Sequence, residues 1–202
     1  MDGAMHTIEI GAQVPRWHNA FLKAVGLAAL RLLGWRLDIH LPDRAKLVIT
    51  GAPHTSNWDG VIAIATIFVI QVRINWWVKH TVFRWPFKSL LNWLGGVPVH
   101  RGVAHGMVEE TVASFRERPH LILAIAPEGT RQRAEKWKKG FYRVAYQAGV
   151  PIVLAYFDYR RKVCGAGPVI IPTGDYAADT AKMLEFYRAV TPRHPENYSG
   201  VA

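Results

Sequence analysis

The 202-residue chain contains one cysteine, Cys164. It therefore forms no internal disulfide and no multi-cysteine zinc or iron–sulfur centre, and its cysteine usage fits a reducing compartment. Acidic residues are scarce: 15 Asp and Glu face 25 Lys and Arg, a formal net charge of +10. An excess of that size calls for an anionic partner, whether nucleic acid, a phospholipid surface or a phosphorylated substrate. Long hydrophobic runs are missing too. The longest stretch without Asp, Glu, Lys or Arg is 144–157, 14 residues interrupted by Gly149-Val150-Pro151, and residues 60–72 give 13. A bilayer-spanning helix needs about 20. The start, Met1-Asp2, carries no basic n-region, so no secretory signal is expected. Serine is rare, four in all, and no G-x-S-x-G elbow occurs, which argues against an acyl-serine intermediate. The rest is ample material for one domain. Half the chain is hydrophobic, and 12 Pro with 17 Gly exclude a disordered or low-complexity protein.

Hydrophobic patterning predicts alternating strands and helices. Residues 36–41 alternate as a half-buried strand does, and 46–50 form a short β-rich run. Residues 57–72 are apolar on nearly all sides, as in a buried helix. A strand at 76–80, a helix at 86–94 closed by Gly95-Gly96, a strand at 97–99 and an amphipathic helix at 104–118 follow. Residues 121–126 (LILAIA) are continuously apolar, as a strand covered on both faces would be. A helix at 138–148, strands at 151–157 and 168–171 and a helix at 178–190 complete the set. This order predicts an α/β domain with a mixed, largely parallel sheet flanked by helices. Its expected extent is 36–192, with 193–202 as a loose tail. Residues 1–35 are expected as an N-terminal helical extension. Its segment 17–35, apolar with Trp at both ends and only Lys23 and Arg31 as charges, is expected to lie in a membrane interface.

Four blocks carry candidate chemistry. The first is His54-Thr55-Ser56-Asn57-Trp58-Asp59. On one continuous helix its His and Asp would point about 140° apart, so they meet only if the chain turns between them. Ser56 or Asn57 is a good N-cap, and Asp59 then falls in the first turn, where the helix dipole favours a carboxylate. Asp59 could take the proton of one imidazole nitrogen and leave the other free to accept one from a hydroxyl. The second block, Gly95-Gly96-Val97-Pro98-Val99-His100-Arg101, brings an Arg to a strand end. The third, Pro127-Glu128-Gly129-Thr130-Arg131, does so again, with Arg133, Lys136, Lys138 and Lys139 behind it; an Arg so placed can fork onto a phosphate. The fourth, Val150-Pro151-Ile152-Val153, reads as a strand start.

In this order, H-x-x-x-x-D, G-G-V-P-V-x-R, P-E-G-T-R and V-P-I-V, the chain resembles the glycerolipid acyltransferase family, whose best-known members are 1-acylglycerol-3-phosphate acyltransferases. The resemblance covers about residues 46–172. It implies transfer of a fatty acyl group from an acyl-CoA or acyl-ACP thioester to the hydroxyl of a lysophospholipid, 1-acylglycerol-3-phosphate being the foremost acceptor. It implies His54 as general base, oriented by Asp59. It implies Arg101, Glu128, Gly129, Thr130 and Arg131 as substrate-binding residues, with Arg101 and Arg131 on the acceptor phosphate. No metal and no cofactor beyond the thioester co-substrate are implied. The partners implied are a phospholipid membrane surface, the lysophospholipid, and coenzyme A or acyl carrier protein, with no nucleic acid; the place is peripheral, on the cytoplasmic face of the inner membrane. Three departures bear on the acceptor: Ala126 stands where Phe is usual, Gln132 where Ser is common, and His100 where an acid commonly precedes the Arg.

Thioester chemistry suits these residues, because the acyl group is already activated and needs only base-assisted attack with a donor for the oxyanion. Backbone N–H groups near Gly129 are candidates for that donor. Ser56 reads as a helix cap, and Cys164 as part of a glycine-rich loop. His80, His100 and His105 fit no standard zinc spacing. Trp76, Trp77, Trp85 and Trp93 read as core or lipid-facing groove rather than base-stacking platforms. Two alternatives remain: an acyltransferase for a different lysolipid, and a catalytically silent basic module binding membrane or nucleic acid.

Overall fold

The computed structural model describes residues 6–82, 84–99, 104–198 and 200. In chain order the elements are β1 (Thr7–Ile10), α1 (Ala20–Leu33), β2 (Arg36–Leu41), β3 (Lys46–Gly51), α2 (Asn57–Ile70), β4 (Asn75–Lys79), α3 (Phe87–Trp93), β5 (Gly96–Val99), α4 (Ala104–Glu117), β6 (Leu121–Ile125), α5 (Gly140–Ala148), β7 (Ile152–Asp158), β8 (Val163–Ile170) and α6 (Tyr176–Tyr187). Among the described residues, eight strands form one sheet in the order β1-β2-β8-β7-β3-β6-β4-β5. Every pairing is parallel except β7 with β8. The expected α/β class and largely parallel sheet are what the chain adopts.

The central strands explain their own composition. Leu47 and Ile49 of β3 face one core, with Ile122 of β6 and Val153 of β7. Val48, Leu121, Leu123, Ile152 and Leu154, the alternate positions, face the other. Both faces of the sheet are covered, so these strands read as unbroken apolar runs. Helices α1 and α2 cover the first face, and α4, α5 and α6 the second.

Two stretches differ from expectation. Strand β8 begins at Val163, five residues before the expected start, and takes in Cys164 and Gly165. Tyr156 of β7 pairs opposite Gly165 and lays its ring over it, so a Cys-Gly-Ala-Gly segment that resembles a loop in composition is buried strand. Residues 1–35, expected as an extension, supply β1 to the sheet edge and Val14, Leu30 and Trp35 to the core. Helix α1 packs on α2 at Gly26, where a Cβ would sit 2.6 Å from the Ala65 carbonyl oxygen. Trp35, expected at the headgroup level, is 3% exposed.

Because β3, β4, β5, β6 and β7 run parallel, their carboxyl ends share one edge of the sheet, where α/β folds place their sites. The loops bearing His54 and Glu128 leave from that edge. Among the described residues, β4 meets β6 at two positions only, Asn75↔Leu123 and Trp76↔Ala124. Past Trp76 the two strands part, and the sheet opens there.

Candidate active site

His54 lies in the loop from β3 to α2, and the start of α2 determines its geometry. Ser56 is the N-cap, with extended backbone at φ −142°, and its hydroxyl accepts the Trp58 N–H at 3.2 Å. Asp59, three residues on, turns its carboxylate back in a capping box. Asp59 Oδ2 accepts the N–H groups of Thr55 and Ser56, each at 3.0 Å. His54 Nδ1 is 3.1 Å from the same oxygen. The helix begins between the two residues, so a spacing that would separate them on a helix brings them together. The Tyr159 hydroxyl donates to Asp59 Oδ1 at 2.6 Å.

Asp59 is 1% exposed. Burial acts to raise its pKa, but hydrogen bonds from His54, Tyr159 and the Ser56 N–H outweigh it and hold the carboxyl below its ordinary value. The N-terminus of α2 works in the same direction. An ionised Asp59 places the imidazole proton on Nδ1 and leaves the lone pair on Nε2. Arg131 Nε donates to that nitrogen at 3.2 Å.

The turn after β6 supports this pair from behind. Gly129 has φ +65°, and its N–H donates to the Ala126 carbonyl at 3.1 Å. A Cβ at this position would meet only the flexible Lys138 side chain, at 3.0 Å, so it is the backbone conformation that selects glycine. Of the backbone N–H groups near Gly129 expected as oxyanion donors, that of Gly129 itself is engaged in the turn. Glu128 is 6% exposed, and its Oε2 accepts the His54 backbone N–H at 2.8 Å. Oε1 has no hydrogen-bond partner among the described residues. Burial pushes the Glu128 pKa up to about 7, against the pull of the His54 N–H and ring. Glu128, expected among the substrate-binding residues, thus ties the His54 loop to the β6 turn.

A cavity of about 870 Å³ meets His54 and Asp59. Its wall includes Gly129, Thr130 and Arg131, three of the expected substrate-binding residues. Most of it is apolar: Ile67 and Ile70 of α2, Ala124, Ala155 and Ala166 of the sheet, and Trp76 and Trp77 at the opening between β4 and β6. Arg131, Lys138, Lys139 and Arg143 also line it, while Asp59 is its single acid among the described residues. Lys139, Arg143 and Tyr159 are functional candidates the motifs did not single out; the basic run after Arg131 already pointed toward the first. Arg101 and His100 lie outside the described residues, and of His105 the side chain does. Among the described residues no group of three or more His, Cys, Asp or Glu side chains is arranged to hold a metal. Cys164 is fully buried, its thiol pushed up to about 12 by burial, and it accepts a hydrogen bond from Thr66 at 3.4 Å. These features make it an inert packing residue.

The C-terminal segment, expected as a loose tail, reaches the same loop. The His194 N–H donates to Thr55 Oγ1 at 3.2 Å, and the Tyr159 N–H to the Thr191 carbonyl at 2.8 Å. Arg193 stacks over Trp58 and Tyr159, 5.4 and 5.8 Å from their ring centroids.

A family model described as Acyltransferase matches residues 38–157. The chain belongs to the acyltransferase family. The matched span of this acyltransferase holds His54, Asp59 and the Pro127–Arg131 turn, and ends two residues before Tyr159. The acyltransferase is similar in structure to the 1-acyl-sn-glycerophosphate (LPA) acyltransferase, PlsC, from Thermotoga maritima. The TM-score is 0.57, with 16% identity over 82% of this chain and 74% of that one, a likeness of fold. No curated protein matches the acyltransferase in sequence.

Proposed function

We propose that this acyltransferase moves a fatty acyl group from a thioester, of coenzyme A or acyl carrier protein, to the hydroxyl of 1-acylglycerol-3-phosphate. The observation that carries the reading is the meeting of three things at one point: an imidazole backed by an ionised carboxylate, an apolar cavity and four cations in its wall. An acyl chain suits the apolar part, and a phosphate suits the cations. The acceptor hydroxyl takes the place of the Arg131 guanidinium at His54 Nε2, and Arg131 moves to the phosphate. As the hydroxyl oxygen attacks the thioester carbonyl carbon, its proton passes to Nε2, and Asp59 stabilises the imidazolium. The tetrahedral intermediate collapses, the carbon–sulfur bond breaks, and the thiolate takes the proton back from Nε2. The products are the diacylated phosphate and a free thiol, with no acyl-enzyme. A catalytically silent module has no use for so fully bonded a base.

The test is thiol release measured with and without 1-acylglycerol-3-phosphate. Wild type should release thiol only with the acceptor. Arg131→Ala should lower kcat/KM for this acceptor by roughly 10- to 100-fold, the worth of one charge-assisted bond of about 1.5–3 kcal/mol. Monoacylglycerol, which has no phosphate, should be used equally by both. Release without acceptor would indicate a thioesterase and sink the proposal; an equal loss with both acceptors would remove Arg131 from the phosphate.

We also propose that the enzyme works at an anionic membrane surface on the cytoplasmic side. Among the described residues no helix is long and apolar enough to cross a bilayer. Helix α1 leaves an apolar edge in solvent, Phe21, Val25, Ala28 and Leu32, at spacings of one helix face, with Lys23 and Arg31 exposed beside it. Leu32 is 88% exposed and Phe21 75%. Near α3, Trp85 and Trp93 are also exposed, at 92% and 60%. Between Ile10 and Val108 the acids are Asp38, Asp43 and the buried Asp59, so this side of the chain is cationic. The Phe21→Ser, Leu32→Ser double variant should bind phosphatidylglycerol vesicles at least ~10-fold more weakly in co-sedimentation, since each side chain contributes about 1.5–3 kcal/mol when fully buried. Undiminished binding would put the docking face elsewhere.

A further inference from the structure

Tyr159 follows the last residue of β7 and is 100 positions from Asp59, yet its hydroxyl donates to Asp59 Oδ1 at 2.6 Å, among the shortest hydrogen bonds of the site. The bonds to Asp59 are divided unevenly. Oδ2 receives the Thr55 and Ser56 N–H groups and faces His54 Nδ1, whereas Oδ1 has Tyr159. We infer that Tyr159 is a positioning residue for the His54–Asp59 pair, its hydroxyl holding Oδ1 so that Oδ2 stays on His54 Nδ1. The catalytic consequence rests on the acyl-transfer reading above; the geometric content does not.

The aspartate has one soft torsion. Rotation of a carboxylate about its last bond is broad and nearly two-fold, so packing alone holds it weakly. With Tyr159 in place, both oxygens are satisfied in a single orientation. With the hydroxyl removed, Oδ1 becomes a bare oxygen of a buried charge, a state proteins avoid. The carboxylate can then rotate to share the two loop N–H donors between its oxygens, and that rotation carries Oδ2 away from His54. The imidazole loses the acceptor that fixes its tautomer.

Tyr159 is itself held rigidly enough for this work. Its N–H is bonded to the Thr191 carbonyl at 2.8 Å, and its ring stands edge-on to buried Trp35 with centroids 4.9 Å apart. Arg193 covers the ring on the way to Trp58, and Lys162 Nζ lies 6.0 Å from the ring centroid. Burial and the bond to Asp59 both raise the Tyr159 pKa, so the hydroxyl keeps its proton and remains a donor.

Tyr159→Phe removes the hydroxyl and keeps the ring packing. Two readouts are taken on the full chain. The first, without substrate, is the imidazole N–H spectrum of ¹⁵N-histidine-labelled protein. The His54 Nδ1–H resonance should be sharp in wild type and should broaden or vanish in the variant while the other histidine signals stay. The second is steady-state acyl transfer, where kcat should fall roughly 10- to 100-fold with KM unchanged, as misplacement of a catalytic group does. In an Asp59→Asn background, Tyr159→Phe should cost nothing further. An unchanged His54 resonance overturns the inference, whatever happens to melting temperature, and so does an unchanged kcat in an active enzyme. If wild type transfers no acyl group but the resonance is still lost, the positioning role stands and the functional reading falls.

Discussion

His54→Ala should lower the turnover of acyl transfer by about 10³-fold, close to 4 kcal/mol in the barrier, with little change in the affinity for thioester. The expectation follows from where the imidazole stands. Nε2 is the point at which base, cavity and Arg131 meet, and no second base among the described residues lines the cavity beside it. Asp59 is ionised and enclosed by hydrogen bonds, and its Oδ2 already has the two loop N–H groups and His54 as neighbours. Its low proton affinity makes it a poor substitute base. Residual activity should come from holding donor and acceptor together, which the substitution leaves alone. Single-turnover measurement of thiol release checks this. A loss below tenfold would mean that the acceptor hydroxyl loses its proton elsewhere, and would take the base away from His54.

Glu128→Gln should make the protein more stable than wild type at pH 8, by about 3 kcal/mol relative to their difference at pH 4. The sign follows from proton uptake. The Glu128 pKa is about 7 in the folded chain, against an ordinary value of 4.5. Between these values the folded protein holds a proton that the unfolded chain releases. Glu128 therefore contributes stability that is fully present below pH 4.5 and is lost as pH rises through about 7. Glutamine imitates the protonated form and has no such dependence, while its amide oxygen can still accept the His54 N–H. Urea unfolding at pH 4, 6 and 8 gives the measurement. A constant difference between the two proteins would mean that Oε1 finds a partner or water when ionised. Glu128→Ala is the contrasting variant, since it strips the acceptor from the His54 N–H and frees the catalytic loop from the β6 turn.

The parts of the molecule that were legible in the sequence are those governed by local pattern. The run at 121–126 announced a strand covered on both sides, and Ser56 with Asp59 announced a helix start that could fold a carboxylate back on His54. The parts that were not legible depend on distant partners. Nothing near Tyr159 in the chain marks it, because its meaning comes from Asp59, 100 residues earlier. The first half of β8 is hidden in the sequence because Cys164-Gly165-Ala166-Gly167 has turn composition and is a strand only against β7 and Arg36–Ile39. The C-terminal residues resemble a tail until Thr55 accepts the His194 N–H. The bond from the His54 N–H to Glu128 was not legible either, because a motif places a residue at a strand end and does not say which way its side chain faces.

The capping box of α2 has a consequence for how such an enzyme tolerates error. The carboxylate that faces His54 is also the group that closes the first turn of α2. Misalignment of the reactive pair and fraying of that helix are thus one event rather than two. Shifting the start of α2 by one residue would move Asp59 off the Thr55 and Ser56 N–H groups and away from His54 Nδ1. On the acyl-transfer reading proposed above, catalytic competence is thereby tied to a correctly formed start of α2.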